Sequence, residues 1–284
     1  MRSYLGGKFG YDRVDSWINA APFIVAAVVL ALLGYSGLWI TKNYYARQEL
    51  PTDARSVNIP KIDFTQPNAK ELLMAAFIEN NGGLENWANL EAISYNGVIF
   101  DNLENHSFVA SKTKTGDVSL YVTNRASETT LEIKNGVTEL QQLPKTTEAP
   151  GFYVKSIAHL TGELYSPLVD LAVTNKGEIS GLEESIWQNI PVVIVTIQDD
   201  SKESKFILYS ENLSVLARID QLSDGATYTY RFTNYESVNG LNLAKMINAE
   251  NNLGDSCNIR FTEIKPLLDR SIPAPTNVNV AKVQ

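Results

Sequence analysis

The side chains able to act as bases, nucleophiles or soft metal ligands are few: two histidines, His106 and His159, and one cysteine, Cys257. Hydrolysis by a serine needs a base held beside it, and no Gly-x-Ser-x-Gly elbow accompanies either histidine. The Gly-Lys-Ser/Thr phosphate loop, the Gly-x-Gly-x-x-Gly turn and the zinc-binding His-Glu-x-x-His are missing from the sequence too. One cysteine forms no internal disulfide and no Cys-x-x-Cys pair, and two histidines do not make a multi-histidine metal site. His159 sits between apolar neighbours and reads as structural or exposed; His106, in Glu104-Asn105-His106-Ser107, reads as a turn residue. Asp199-Asp200 reads as a solvated hairpin tip, Glu183-Glu184 as part of a loop, and Cys257 as a small core residue. No catalytic residue, metal or cofactor is expected, and the chain is not expected to be an enzyme.

What remains is apolar chemistry. Tyr228, Tyr230 and Phe232 alternate with Thr227, Thr229, Arg231 and Thr233, which puts the three rings on one face of a strand. Ile157, Leu160, Leu164, Leu168 and Leu171 recur at helical spacing. Val193 and Val195 lie in Pro191–Ile197, a run apolar on both faces, which a strand tolerates only when covered on both sides. Two readings stay open. Helices and sheet pack as ordinary core, or they leave an apolar slot in which each buried methylene of a guest contributes about 0.8 kcal/mol. The candidate ligand-binding residues of such a slot are Ile157, Leu160, Leu164, Val193, Val195, Tyr228, Tyr230 and Phe232.

The elements that must position these residues belong to a chain of 284 residues with 24 basic and 32 acidic side chains, a net charge of −8. Residues 1–41 carry Arg2, Lys8 and Arg13 against Asp12 and Asp15, so the acidic excess lies in the remainder. An acidic body without a Lys/Arg run repels phosphate backbones, and nucleic acid is excluded as a partner.

Between Asp15 and Lys42 no residue is charged. About 20 apolar residues cross a ~30 Å hydrocarbon layer as a helix, and Ala20–Ile40 has that length. Phe23, Leu30 and Leu33 stand within it, while Trp17 at one edge and Tyr35 and Trp39 toward the other resemble an interfacial aromatic belt. The apolar run continues through Leu38-Trp39-Ile40 with no Ala-x-Ala site after it, so an uncleaved anchor is expected rather than a signal peptide. Basic residues are nearly balanced across the span. A single early anchor before a large acidic domain favours the N-terminus in the cytoplasm and the bulk in the periplasm.

Beyond the span, Pro51, Pro60 and Pro67 mark a semi-rigid linker. A helix is predicted from Asn68, with Glu71 in the capping-box position and Leu72, Leu73, Ala76 and Phe77 as its stripe, ending at Asn80-Asn81-Gly82-Gly83. A short turn of helix near Leu84–Leu90 carries Trp87. Asn135-Gly136 between alternating segments is a type I′ hairpin signal. Cys257, Ile259 and Phe261 alternate in another strand; Asp117–Asn124 and Lys205–Ser210 are further strands. Turns at 210–213, 224–225 and 239–240 fit an antiparallel meander. Pro167 breaks the Ile157–Leu171 stripe unless Ser166 caps a second helix with Pro167 at its first position, giving two short helices with a bend. No βαβ alternation is visible.

Two stretches carry a family resemblance. Glu71-Leu72-Leu73, then Glu79-Asn80-Asn81-Gly82-Gly83-Leu84 through Ile93, resembles the opening of outer-membrane lipoprotein-sorting, LolA/LolB-like domains, in which a helix ends in a Gly-Gly-Leu turn before the first strand. Phe206–Asp220, Tyr228–Tyr235 and Glu236-Ser237-Val238-Asn239-Gly240-Leu241 resemble the family's late strands and their closing turn. The resemblance covers about residues 68–268. It implies an incomplete antiparallel barrel with helices across its open side and an acyl-binding cavity between them. It implies no catalytic residues, and a membrane anchor departs from the family's soluble carrier.

The sequence therefore predicts an α+β chain: one N-terminal transmembrane helix and an antiparallel incomplete β-barrel with helices covering its open side. Its expected parts are a cytoplasmic stub (1–16), the membrane helix (17–41), a linker (42–67), the carrier-like domain (68–270) and a tail (271–284). The expected role is a domain at the bacterial inner membrane, facing the periplasm, that binds lipid or a lipidated protein. The alternative is an accessory subunit of a larger membrane complex, in which small pairs such as Ala27/Ala31 and Gly34/Gly37 let another helix approach.

Overall fold

The computed structural model describes residues 62–101, 104–144, 150–198, 202–223 and 225–269. The predicted span, the stub, most of the linker, the tail and Asp199-Asp200 lie outside these residues. Among the described residues no helix is long and apolar enough to cross a membrane.

Twelve antiparallel strands form one sheet: β1 Leu90–Phe100, β2 Asn105–Thr113, β3 Val118–Thr123, β4 Glu128–Lys134, β5 Val137–Leu143, β6 Glu178–Trp187, β7 Ile190–Gln198, β8 Lys202–Tyr209, β9 Val215–Leu222, β10 Thr227–Val238, β11 Leu241–Asn251 and β12 Ser256–Leu268. Their order is β5-β4-β3-β2-β1-β12-β11-β10-β9-β8-β7-β6, so the edges β5 and β6 do not meet and the barrel stays open. Among the described residues four helices accompany it: α1 Ala69–Asn80, α2 Leu84–Ala88, α3 Phe152–Thr161 and α4 Pro167–Thr174.

Local chemistry accounts for most of these boundaries. Asn135 and Gly136 both have positive φ, 51° and 79°, as the type I′ turn between β4 and β5 requires. Pro167 opens α4 after Ser166, where its missing N–H costs no hydrogen bond. Neither Ser166 nor Asn68 makes a side-chain capping bond, so the predicted capping box at Asn68 does not form. Packing holds α1 instead, through Ala69, Leu73, Phe77 and Ile78, while Leu72 is half-buried. The packed chain begins before Asn68, because Ile62 and Phe64 rest on the same cluster.

The helices cover one face of the sheet over two apolar clusters. The first joins Leu73, Phe77, Trp87 and Leu168 to Val193, Val195, Ile197, Phe206 and Leu208. The second joins Val154 and Ile157 of α3 to Phe108, Tyr230, Ile259 and Phe261. Leu164, in the bend between α3 and α4, and Leu243 of β11 touch both. Strand β7 is buried on its helix side at Val193, Val195 and Ile197; on the opposite side, where its composition predicts an equal cover, Val192 is buried in a third cluster while Ile190, Ile194 and Thr196 are half-buried. That cluster, with Ile207, Leu216 and Ala217, is built among the described residues by strands alone, with no helix.

Two expectations are corrected. His106 is no turn residue: it lies on β2, 3% exposed, where pairing with Asp101 (Nε2–Oδ2 3.0 Å) and stacking on Tyr153 of α3 offset its burial. Glu183 and Glu184 are not in a loop but in β6, an edge strand, where they point to opposite faces and both are exposed.

Candidate functional site

The bend of α3 and α4 roofs a cavity of about 160 Å³. Leu160 and Leu164 line it from above and Phe232, Leu243, Ile247 and Phe261 from the sheet; Phe77 and Trp87 form a side wall. Of the eight residues read from the sequence, the structure brings Leu160, Leu164 and Phe232 to this cavity. Ile157, Val193, Val195 and Tyr230 are instead fully packed core, and Tyr228 is half-buried in a stack of rings. Of the two readings of the tyrosine face, packed core holds at Tyr228 and Tyr230, where the His159 ring of α3 stacks on both, each with centroids 5.8 Å apart.

The cavity's polar corner was not legible in the sequence. Arg218 of β9 lines it at 2% exposure. Its Nη1 donates to Glu163 Oε2 at 2.6 Å and its Nη2 to Glu163 Oε1 at 2.9 Å, a two-pronged guanidinium–carboxylate pair. Lys202 of β8 donates to the same carboxylate. On the other side, Arg218 Nε donates to Asp220 Oδ1 at 2.9 Å, Ser204 Oγ to the same oxygen at 2.6 Å, and His159 Nε2 to Asp220 Oδ2 at 2.8 Å. Burial alone would push both carboxyls up. Arg218 and Lys202 outweigh it at Glu163, and the His159 and Arg218 bonds outweigh it at Asp220, so both are held below the usual carboxylate range. Two cations and two carboxylates face one another here, with the Arg218 guanidinium also over the Phe206 ring, 5.7 Å from its centroid.

A bulge explains why these charges point inward. Between β8 and β9, Ile207 pairs with Ala217 but Leu208 pairs with Val215, leaving Leu216 extra. Alternation from Val215 would turn Ala217 inward and Arg218 out. The extra residue puts both Leu216 and Ala217 in the outer cluster and swings Arg218 and Asp220 to the helix side.

The side wall is built differently. Gly82 (φ +124°) lies so close to the β10–β11 turn that a Cβ there would stand 2.6 Å from the Gly240 carbonyl oxygen. Asn86 Nδ2 donates to the Gly82 carbonyl at 2.6 Å, Trp87 Nε1 to the Asn81 carbonyl at 2.9 Å, and the Asn242 N–H to the same carbonyl at 3.3 Å. The two stretches that resemble the carrier family, Gly82-Gly83-Leu84 and Val238-Asn239-Gly240-Leu241, thus meet in space at the cavity's edge.

With this arrangement established, the chain is similar to several solved structures. A putative outer membrane lipoprotein-sorting protein domain from Vibrio parahaemolyticus shares 12% identity, with 66% of this chain and 89% of that chain covered and a TM-score of 0.40. A DUF1329 family protein from Desulfovibrio piger shares 10%, with 72% and 94% covered and a TM-score of 0.44. A LolA superfamily protein from Nitrosomonas europaea shares 10%, with 70% and 93% covered and a TM-score of 0.42. No family model and no curated protein matches the chain.

Proposed function

We propose that this domain holds the apolar chain of a lipid, or of a lipidated protein, between its helices and its sheet, without catalysing a reaction. The apolar cavity under the α3–α4 bend carries this reading. A dry cavity of ~150 Å³ accommodates a benzene-sized guest, so this one takes about six carbons. Burying six methylenes contributes about 5 kcal/mol before the cost of ordering the guest. A longer acyl chain requires the α3–α4 bend to lift from the sheet, and the motif resemblance to lipoprotein carriers supports such a guest. In this reading residues 17–41 tether the domain to the cytoplasmic membrane, and the linker before Ile62 sets its reach into the periplasm, close to the source of lipid.

Native mass spectrometry of the full-length chain, released from detergent micelles, tests the reading. One lipid per chain is expected on the wild type and none on Leu164→Trp, whose larger side chain fills the cavity. An identical lipid load on both, or none on either, would overturn it. Protease added to intact spheroplasts should degrade the bulk beyond residue 42; sparing it would refute the periplasmic placement.

A further inference from the structure

We propose that the cavity's polar corner is a carboxylate-recognition site, held closed by the protein's own Glu163, and that the guest is a free fatty acid whose head group takes Glu163's place. The inference rests on the lipid-holding reading above and names the class of lipid.

Three observations meet at this corner. First, Glu163 presents its carboxylate to two prongs of Arg218, at 2.6 and 2.9 Å, and to Lys202. That is the geometry by which a guanidinium fork and an ammonium recognise any carboxylate. Second, the bonds are released from one end only. Asp220 is fully buried and tied to Ser204, His159 and Arg218, whereas the Glu163 side chain is about a fifth exposed. Glu163 and Leu164 line both the apolar cavity and an open groove of about 1340 Å³ outside it. Glu163 follows Gly162, the last residue before the bend, and can turn into that groove without disturbing a helix. Third, the donors stay in place. With Glu163 swung out, Asp220 still holds Arg218 through its Nε and Nη2, and the Arg218 fork and the Lys202 ammonium remain at the end of the apolar cavity where an incoming carboxylate can meet them. The acid's tail then runs past Leu164 into the space lined by Phe232 and Phe261. A neutral head group would offer Arg218 and Lys202 only an uncharged acceptor, which makes weaker hydrogen bonds than the carboxylate it displaces.

The test uses the full-length chain kept soluble in an uncharged amphipol, titrated calorimetrically at pH 7.5 with octanoate and with octan-1-ol, amphipol alone being subtracted. Octanoate should bind roughly tenfold more tightly than octanol, the difference of one charge-assisted contact. Glu163→Gln removes the internal competitor and should raise octanoate affinity several-fold while leaving octanol unchanged. Lys202→Met should lower octanoate affinity alone, and it decides the matter if Glu163→Gln does not fold. Equal binding of acid and alcohol, with both variants indifferent to the head group, overturns the carboxylate site but leaves the apolar guest standing. Failure of both ligands to bind wild type and variants overturns the lipid-holding reading as well.

Discussion

The two walls of the cavity are held in opposite ways. The α1–α2 wall is joined to the β10–β11 turn by backbone: Gly82 in close approach to Gly240, the Asn81 carbonyl receiving the Asn242 N–H, and apolar side chains beneath. The α3–α4 roof is joined to β8 and β9 by charge: Glu163 and His159 above, Arg218, Asp220 and Lys202 below. Backbone packing has one geometry, and any substitution within it is a strain. A charged contact can be exchanged for another of equal sign and shape. One wall is therefore a fixed surface and the other can be released, which the proposed binding of a guest requires.

The comparison breaks most readily at Arg218. Replacing it by Met leaves Asp220 and Glu163 without the cation between them, and removing one partner of a buried pair costs about 3–5 kcal/mol. Chemical denaturation should show that loss, with hydrogen exchange rising first in α3 and α4 and later in α1. Equal acceleration in all helices would show that the roof is not a separate unit.

Acid should act on the same wall. Asp220 and Glu163 are held below their ordinary range in the folded protein. A depressed carboxyl contributes stability that is fully present above its unfolded value, about 4, and is lost as pH falls toward the folded one. Denaturation midpoints should thus be flat from neutrality to about pH 5 and fall below it, and Asp220→Asn should make that fall shallower. An unchanged slope would mean that other carboxyls govern acid unfolding.

On the fixed wall, Gly82→Ala places a Cβ against the Gly240 carbonyl at a φ of +124°. Strain of this kind costs of order 1–3 kcal/mol, read as a lowered unfolding midpoint. Unlike the Arg218 change, it should not alter the pH slope.

What the sequence revealed and what it hid follow the same division. The tyrosine alternation in β10, the Cys257/Ile259/Phe261 face and the break at Ser166-Pro167 were legible because each obeys a local period or a local backbone rule. The cysteine is core as its position implied, with burial raising its thiol to about 12. Arg218 and Asp220 were hidden because one bulge reverses the facing of everything after it, and nothing in Val215–Leu222 announces an extra residue. His106 was hidden because its burial comes from strand pairing and from Tyr153, far off in the chain. The tyrosine face fits core or an apolar slot equally well in the sequence, because no periodicity shows that His159 stacks on it.

The smallest effect separates propensity from packing on the fixed wall. Asn68 precedes α1 with a good capping residue type, yet its side chain makes no capping bond. A working Asn cap contributes about 1 kcal/mol. If α1 is held by Leu73 and Phe77 and by the closure of its far end at Gly82, Asn68→Ala should change the unfolding free energy by less than about 0.5 kcal/mol. A loss near 1 kcal/mol would mean that the helix start is anchored by the side chain after all, and that the wall's rigidity does not come from the glycine end alone.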